Sequence, residues 1–166
     1  RPKFKLHKLA EDIKTMHTDY AKYIDKIIAE YEELNALKPS KINAKKAEFD
    51  KIVPENKLND LIPVTATKNG IIFTEDRCFY DLVVEAMRYD AVRNKDFLPY
   101  IKKIGIKSCV YCNAQFTVIA EVDEDDNLSA KLELDHHYAK SKYPFLCTSF
   151  FNLYPSCSNC NKAKSK

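Results

Sequence analysis

The reading turns on the stretch from Lys107 to Lys166. It opens Lys107-Ser108-Cys109-Val110-Tyr111-Cys112 and continues Leu134-Asp135-His136-His137-Tyr138-Ala139-Lys140-Ser141. Asn152-Leu153 follow, and it closes Cys157-Ser158-Asn159-Cys160-Asn161-Lys162-Ala163-Lys164, just short of the last residue. A Cys-x-x-Cys turn presents two thiolates to one ion, and two such turns complete the tetrahedral, soft-ligand sphere of structural zinc. Such an ion would pin the two ends of the segment together and supply part of its folding energy. The competing reading, two redox dithiols or buried free thiols, lacks the βαβ context of a thioredoxin-like motif. Between the cysteine pairs lie groups of a different chemistry. Asp135 is a hard oxygen ligand suited to Mg²⁺ or Mn²⁺. His136 is a side chain that titrates near neutrality. Neighbours on a strand point to opposite faces, so the two serve one site only if the strand ends there and the chain turns.

Around these residues the pattern predicts two strands, Gln115–Val122 and Leu128–Leu134, joined at Asp123-Glu124-Asp125-Asp126-Asn127. That acidic run lacks EF-hand spacing and its glycine, so it reads as an exposed hairpin tip. A last helix is expected from about Ser156 through the second cysteine pair.

Upstream the periodicity is helical. Leu9, Ile13, Met16, Tyr20, Tyr23, Ile27, Tyr31 and Leu34 recur at steps of three and four, predicting one amphipathic helix over about Lys8–Leu37. Its stripe either packs on the rest of the chain or docks a partner. Ser40 is placed to cap a second helix, Lys41–Val53, with Ile42, Phe49 and Ile52 inward. Residues 55–70 read as a loop with an Asn69-Gly70 turn, and Ile71-Ile72-Phe73 as a short extended piece. Thr74 reads as the cap of a helix running to about Val92. A further helix, about Lys95–Lys103, ends at Gly105, where glycine can adopt the left-handed C-cap. His7 and His17 read as exposed, and Cys78 and Cys147 as small apolar residues.

Composition narrows the function classes. The 166 residues contain only Gly70 and Gly105, which excludes a Gly-x-x-x-x-Gly-Lys phosphate loop in this chain. No apolar run reaches membrane-span length and no signal peptide is evident, so a reducing cytoplasm is expected and no membrane. The opening Arg1 suggests that the natural N-terminus was trimmed or lies upstream. Net charge is +3, and residues 128–166 carry six lysines against Glu133 and Asp135, or +4. A basic surface beside a metal site suits a phosphate backbone, though a solvated lysine-rich end reads equally well from charge alone.

The order Cys109-x-x-Cys112, Asp135-His136, Ala139-x-Ser141, Asn152-Leu153, Cys157-x-x-Cys160-Asn161-x-x-Lys164 resembles the HNH, or ββα-metal, endonucleases. Ile106 to Cys112 and Lys142-Tyr143-Pro144-Phe145 look closest to the HNH subunits of ATPase-associated, Septu-like bacterial anti-phage systems. The family often has Pro at the position of Ala139, His at that of Asn161 and Gly at that of Ser165. The resemblance implies an α+β, mainly helical chain, with a helical region over 1–104 packed on a zinc-stabilised ββα-metal module over 105–166. It implies zinc on Cys109, Cys112, Cys157 and Cys160, and a catalytic Mg²⁺ or Mn²⁺ on Asp135 and Asn161. It makes His136 the general base, with Asn152 orienting it or bracing its loop, and cleavage leaving a 5′-phosphate and a 3′-hydroxyl. Lys140, Lys142, Lys162 and Lys164 would meet phosphates, with DNA favoured over RNA. His137 reads as an outward strand residue, with a spare metal ligand as the other option. A non-catalytic zinc module that binds nucleic acid or protein is the alternative, as is a helical platform that docks an ATPase.

Overall fold

The computed structural model describes residues 1–15, 17–121 and 128–164. The N-terminal helix is two helices and a turn more: α1 (Pro2–Ile13), α2 (Thr18–Ala29) and the short α3 (Tyr31–Asn35). The expected single helix breaks at His17, whose backbone (φ −138°, ψ 62°) is not helical. The break lets the amphipathic stripe bury itself. Leu6, Ala10 and Ile13 of α1 and Ala21, Ile24 and Ile27 of α2 are all buried as the two helices pack together. Met16, expected on that stripe, lies outside the described residues. α4 (Ile42–Asp50) buries Ile42 and Phe49 as its pattern predicts. It follows a 3₁₀ turn over Pro39–Lys41 and has no side-chain cap, so Ser40 does not play that part. Lys45 of α4 is buried, and it is tolerated there because Glu30 (3.1 Å), Glu33 (3.2 Å) and Glu48 (3.4 Å) surround its ammonium.

The expected 55–70 loop and the helix start at Thr74 are both replaced by a β-hairpin. β1 (Leu61–Lys68) pairs antiparallel with β2 (Ile71–Cys78) in a register that sets Lys68 opposite Ile71. Asn69 (φ 52°) and Gly70 (φ 79°) form the two-residue turn, both in the left-handed region that such hairpin turns require. Pro63 is accommodated because both strands of a two-stranded sheet are edges. α5 (Phe79–Ala86) starts only after the hairpin, with the Phe79 amide donating to the Asp60 carbonyl at 3.0 Å. Arg88 then takes a left-handed conformation (φ 59°) that turns the chain into the single turn α6 (Tyr89–Ala91). A π-turn over Val92–Asp96 leads to α7 (Leu98–Ile104), which ends on Gly105 at φ 74°, as expected of that glycine.

The C-terminal third contains two further two-stranded sheets among the described residues. β3 (Val118–Glu121) pairs with β4 (Leu128–Lys131), and the expected hairpin tip at Asp123–Asn127 lies outside the described residues. The predicted Leu128–Leu134 strand is broken at Leu132. Its second half, β5 (Glu133–His136), leaves that hairpin and pairs with β6 (Leu153–Ser156), across a long loop. α8 (Ser158–Lys164) follows β6 directly; Ser165 and Lys166 lie outside the described residues.

One continuous apolar core runs from Leu6 to Leu153. Tyr23 meets Phe49 at 4.8 Å and Phe79 at 5.4 Å edge-on, and Phe145, from the loop between β5 and β6, stacks on Phe49 at 4.2 Å. Each buried aromatic of this kind contributes about 2–3 kcal/mol through its area, and each ring pair about 1 kcal/mol more. The β5–β6 loop is thus anchored in the helical core. Among the described residues, no helix is long and apolar enough to cross a membrane.

Candidate functional site

The four predicted zinc ligands converge. The sulfurs of Cys109, Cys112, Cys157 and Cys160 all lie within 4.8 Å of one another. Their placement is local in origin. The Cys109–Cys112 turn closes when the Asn113 amide donates to the Cys109 carbonyl (2.9 Å), with Asn113 itself left-handed at φ 51°. The Val110 amide reaches the Pro155 carbonyl at 3.3 Å, which docks that turn on β6 beside the second pair. Within that pair the Cys160 amide donates to the Cys157 sulfur at 3.5 Å.

Burial opposes ionisation at Cys109, yet amide donors from Cys157, Cys112 and Tyr111 bring its thiol down to about 6. Amides of Ala114 and Gln115 lower Cys112 as well. Cys160 moves the other way, up to about 12, chiefly through hydrogen bonding to Cys157 and then burial and the other sulfurs. Protein dipoles alone therefore support some thiolates but not all, and a dication at the centre would release the remaining protons. Four soft donors in this arrangement fit Zn²⁺.

Strand β5 ends at His136, and its last residues divide by alternation. Glu133 and Asp135 share one face and look toward α8. There the side-chain amide of Asn161 donates to the Glu133 carboxylate, which sits below the usual carboxylate range because of that contact. One turn on, the Lys164 ammonium contacts Asp135 Oδ2 at 2.6 Å and the His136 carbonyl at 2.8 Å. The Tyr111 hydroxyl also donates to Asp135 Oδ2, and the Lys164 ammonium stands 3.4 Å from that hydroxyl and 5.6 Å from the ring centre. Burial, and then the Asp135 carboxylate, push the Tyr111 phenol well above its ordinary value, so it stays a donor. Asp135 is 8 % exposed, a nearly buried carboxylate whose charge is met by Lys164. The three oxygens of Asp135, His136 and Tyr111 thus make a hard-donor cation site in which the chain's own ammonium stands. Asn161 meets Glu133 here.

The His136 ring has partners of its own. It lies 4.6 Å from that of Tyr89, and its Nε2 is 2.9 Å from the Cys147 carbonyl. A carbonyl only accepts, so this contact places the ring hydrogen on Nε2 and leaves the Nδ1 lone pair as the basic position. Burial lowers the affinity of the ring for a second proton, with smaller opposing and reinforcing contributions from the Cys147 carbonyl and Lys140. The imidazole is therefore neutral at neutral pH. Asp135 acts on it electrostatically; no hydrogen bond joins the two side chains among those described.

Asn152 is fully buried and braces the loop. Its Oδ1 accepts from the Tyr138 amide (2.7 Å), and its Nδ2 donates to the Tyr138 (3.1 Å) and Leu146 (3.1 Å) carbonyls. Its own carbonyl accepts from the His137 amide at 2.9 Å. Of its two expected roles, bracing is the one its contacts serve. Cys147 is fully buried against Met87 at 3.5 Å, while Cys78 is half-buried. Lys140 lies over the Tyr89 ring (5.6 Å) and Lys142 meets Glu55 (3.3 Å), while Lys162 is exposed and acts on Glu133. His137 is exposed and packs edge-on against Tyr138 and Tyr154. His7 is exposed, and His17 is half-buried against Tyr20. Three partners had not been singled out: Tyr111, Glu133 and the Cys147 carbonyl. Glu133 was legible as a second acid two residues before Asp135, hence on the same strand face. The Cys147 carbonyl leaves no mark in side-chain identity.

Among known proteins, the chain is similar to the Septu protein PtuB of Bacillus thuringiensis, with 36% identity over 70 residues. The match covers 40% of this chain and 24% of that protein, so it spans about a quarter of the relative's length. No family model matches the chain. No solved structure matches it.

Proposed function

We propose that this chain carries a zinc-stabilised HNH (ββα-metal) endonuclease module that hydrolyses phosphodiesters in nucleic acid, DNA before RNA, as part of a Septu-like anti-phage defence protein. The observation that carries the reading is the run β5–β6–α8: a strand ending in Asp135-His136, a partner strand, and a helix whose base joins a four-cysteine cluster. The similarity to PtuB supports the defence setting. Residues 105–166 form the reactive module in this reading, and residues 1–104 scaffold its loop and offer a surface to a separate ATPase in the cytoplasm.

In this reading the roles are those that the resemblance implies, set on the observed contacts. His136, neutral and held through Nε2, takes a proton from water on Nδ1 as general base, a task worth about 10²–10⁴ in rate. Asp135 and Asn161, joined by the His136 carbonyl, would be the donor set for Mg²⁺ or Mn²⁺, with Asn161 exchanging its Glu133 contact for the ion. When bound, that ion would offset charge on the scissile phosphate and the leaving oxygen. Lys140 and Lys162 extend a cationic surface for the flanking backbone. Asn152 holds the loop that positions the Cys147 carbonyl, and so the tautomer of the base.

A second reading, a non-catalytic zinc module that binds nucleic acid or protein, draws on the closed Lys164–Asp135 pair. A cleavage screen separates the two: plasmid DNA and tRNA, with Mg²⁺, Mn²⁺ or EDTA, for the wild type and His136→Ala. The proposal expects metal-dependent products that fall at least about 10²-fold in His136→Ala at unchanged zinc content. Undiminished cleavage by His136→Ala removes the mechanism, and salt-dependent binding without any product selects the second reading.

A further inference from the structure

The Lys164 ammonium makes more contacts than a surface lysine on a terminal helical turn needs. It sits 2.6 Å from Asp135 Oδ2, 2.8 Å from the His136 carbonyl and 3.4 Å from the Tyr111 hydroxyl oxygen. These are three oxygens on two segments: the Asp135 side chain and the His136 backbone at the end of β5, and Tyr111 in the Cys109–Cys112 turn. The partners differ in freedom. The Asp135 side chain is 10 % exposed and fixed by Tyr111, whereas that of Lys164 is 39 % exposed at the end of α8. An ionised carboxylate this deeply placed is costly without a partner cation. A half-exposed lysine on a four-carbon stem can leave by rotamer change alone.

We infer that Lys164 is a displaceable resident cation that occupies the Asp135 site in the free protein and transfers to a backbone phosphate when nucleic acid binds, so that nucleic acid and divalent ion enter together. The inference rests on the nuclease reading of the site. Two cations cannot share one carboxylate oxygen without repulsion, so a divalent ion must evict the ammonium. Evicted into water, Lys164 gains only hydration; evicted onto a phosphate, it regains a charge-assisted hydrogen bond. The apparent affinity for the ion is therefore reduced by the fraction of molecules in which Lys164 occupies the site, and nucleic acid lifts that reduction. Linkage makes the effect reciprocal: the ion tightens nucleic-acid binding by the same factor. The consequence is protective. Without substrate the site holds its own cation, and stray metal ions do not arm it.

The test measures Mn²⁺ binding by electron paramagnetic resonance on the full, zinc-loaded chain. A short DNA duplex is added in one arm, and His136→Ala is present in every protein to prevent cleavage. Lys164→Met keeps the stem and loses the charge. It should bind Mn²⁺ about tenfold more tightly than the reference without DNA, as removal of a competitor present in most molecules requires. The duplex should tighten Mn²⁺ binding in both proteins, because in the nuclease reading the ion meets the scissile phosphate, but several-fold more in the reference than in Lys164→Met; an equal gain in the two overturns the exchange. Lys164→Arg, which retains a cation, should follow the reference, and zinc content with circular dichroism confirms that each variant is folded. Equal Mn²⁺ affinity of Lys164→Met and the reference, with binding lost in Asp135→Ala, overturns the exchange and leaves the active-site reading standing. Undiminished Mn²⁺ binding in Asp135→Ala overturns both.

Discussion

Replacing Asn152 tests whether a loop residue can look catalytic while acting through structure. Its carboxamide closes three hydrogen bonds, at 2.7, 3.1 and 3.1 Å, inside a site with no solvent access. Asn152→Ala removes all three and leaves the Tyr138 amide and two carbonyls to find other partners. At about 1 kcal/mol net per bond, plus a share of the desolvation of groups left unpaired, the loss comes to about 3–4 kcal/mol. For a chain of this size that lowers the thermal midpoint by roughly 6–16 °C. Asn152→Asp gives a sharper signature. It keeps the acceptor for the Tyr138 amide but turns two donors into a carboxylate oxygen that faces two carbonyls. Burial and those carbonyls would raise the new carboxyl's pKa, so the native state holds its proton to higher pH than the unfolded chain. Stability must then fall as pH rises above about 4, the unfolded carboxyl value. Asn152→Asp should accordingly be less stable than Asn152→Ala at pH 8 and recover toward it at pH 5. Urea titrations of zinc-loaded protein at the two pH values measure both. An Asn152→Ala within about 0.5 kcal/mol of wild type, or an Asn152→Asp that is the more stable of the two at pH 8, would refute the bracing role.

Two further outcomes follow from the same site. Cys112 and Cys157 are 45 positions apart in sequence, and a metal clip across that span restrains the unfolded chain by about 4 kcal/mol on the loop-closure argument. Cys109→Ser should lose zinc, read by plasma emission, and unfold at least about 8 °C lower; a chelated wild type that keeps its midpoint would exclude a structural ion. For His136, burial depresses the pKa, so the acid limb of kcat/KM should lie below the ordinary imidazole value of about 6.5 and activity should be flat above it. The unfolded chain then binds the proton first, so this residue's contribution to stability rises with pH up to that value and is constant above. An acid limb centred above 7 would mean that some other group is the base.

The sequence held the parts whose determinants are local. Cys-x-x-Cys spacing is a property of one turn, and the convergence of both pairs needed only that the fold join them. Gly105 ends its helix because left-handed backbone at that point needs no partner. Asn69-Gly70 was equally legible as a turn, yet its flanks were not seen as strands. Pro63 argues against a central strand, and Thr74-Glu75-Asp76 imitates a helix start. What decides between the readings is cross-strand pairing, Leu61 with Cys78 through Lys68 with Ile71, which no single segment displays. The same limit hid the β5–β6 pair. Leu153-Tyr154-Pro155-Ser156 carries a proline, and its partner lies beyond a long loop.

That loop explains why the residues proposed to be reactive depend on a region that contributes none of them. Phe145 enters the core face to face with Phe49, and Thr148 donates to Asn35 at 2.7 Å, so α3 and α4 hold both flanks of Cys147. The Cys147 carbonyl in turn selects the tautomer of His136, whose other side is walled by Tyr89 after the left-handed turn at Arg88. A carbonyl displaced by an ångström no longer accepts from Nε2, and the ring is then free to place its hydrogen on Nδ1, where a base needs its lone pair. The helices therefore set the tautomer of one imidazole through backbone position, while the Cys109–Cys112 turn fixes the neighbouring carboxylate through Tyr111 on Asp135. Two separately anchored elements meet on a strand of four residues, and neither anchor substitutes for the other.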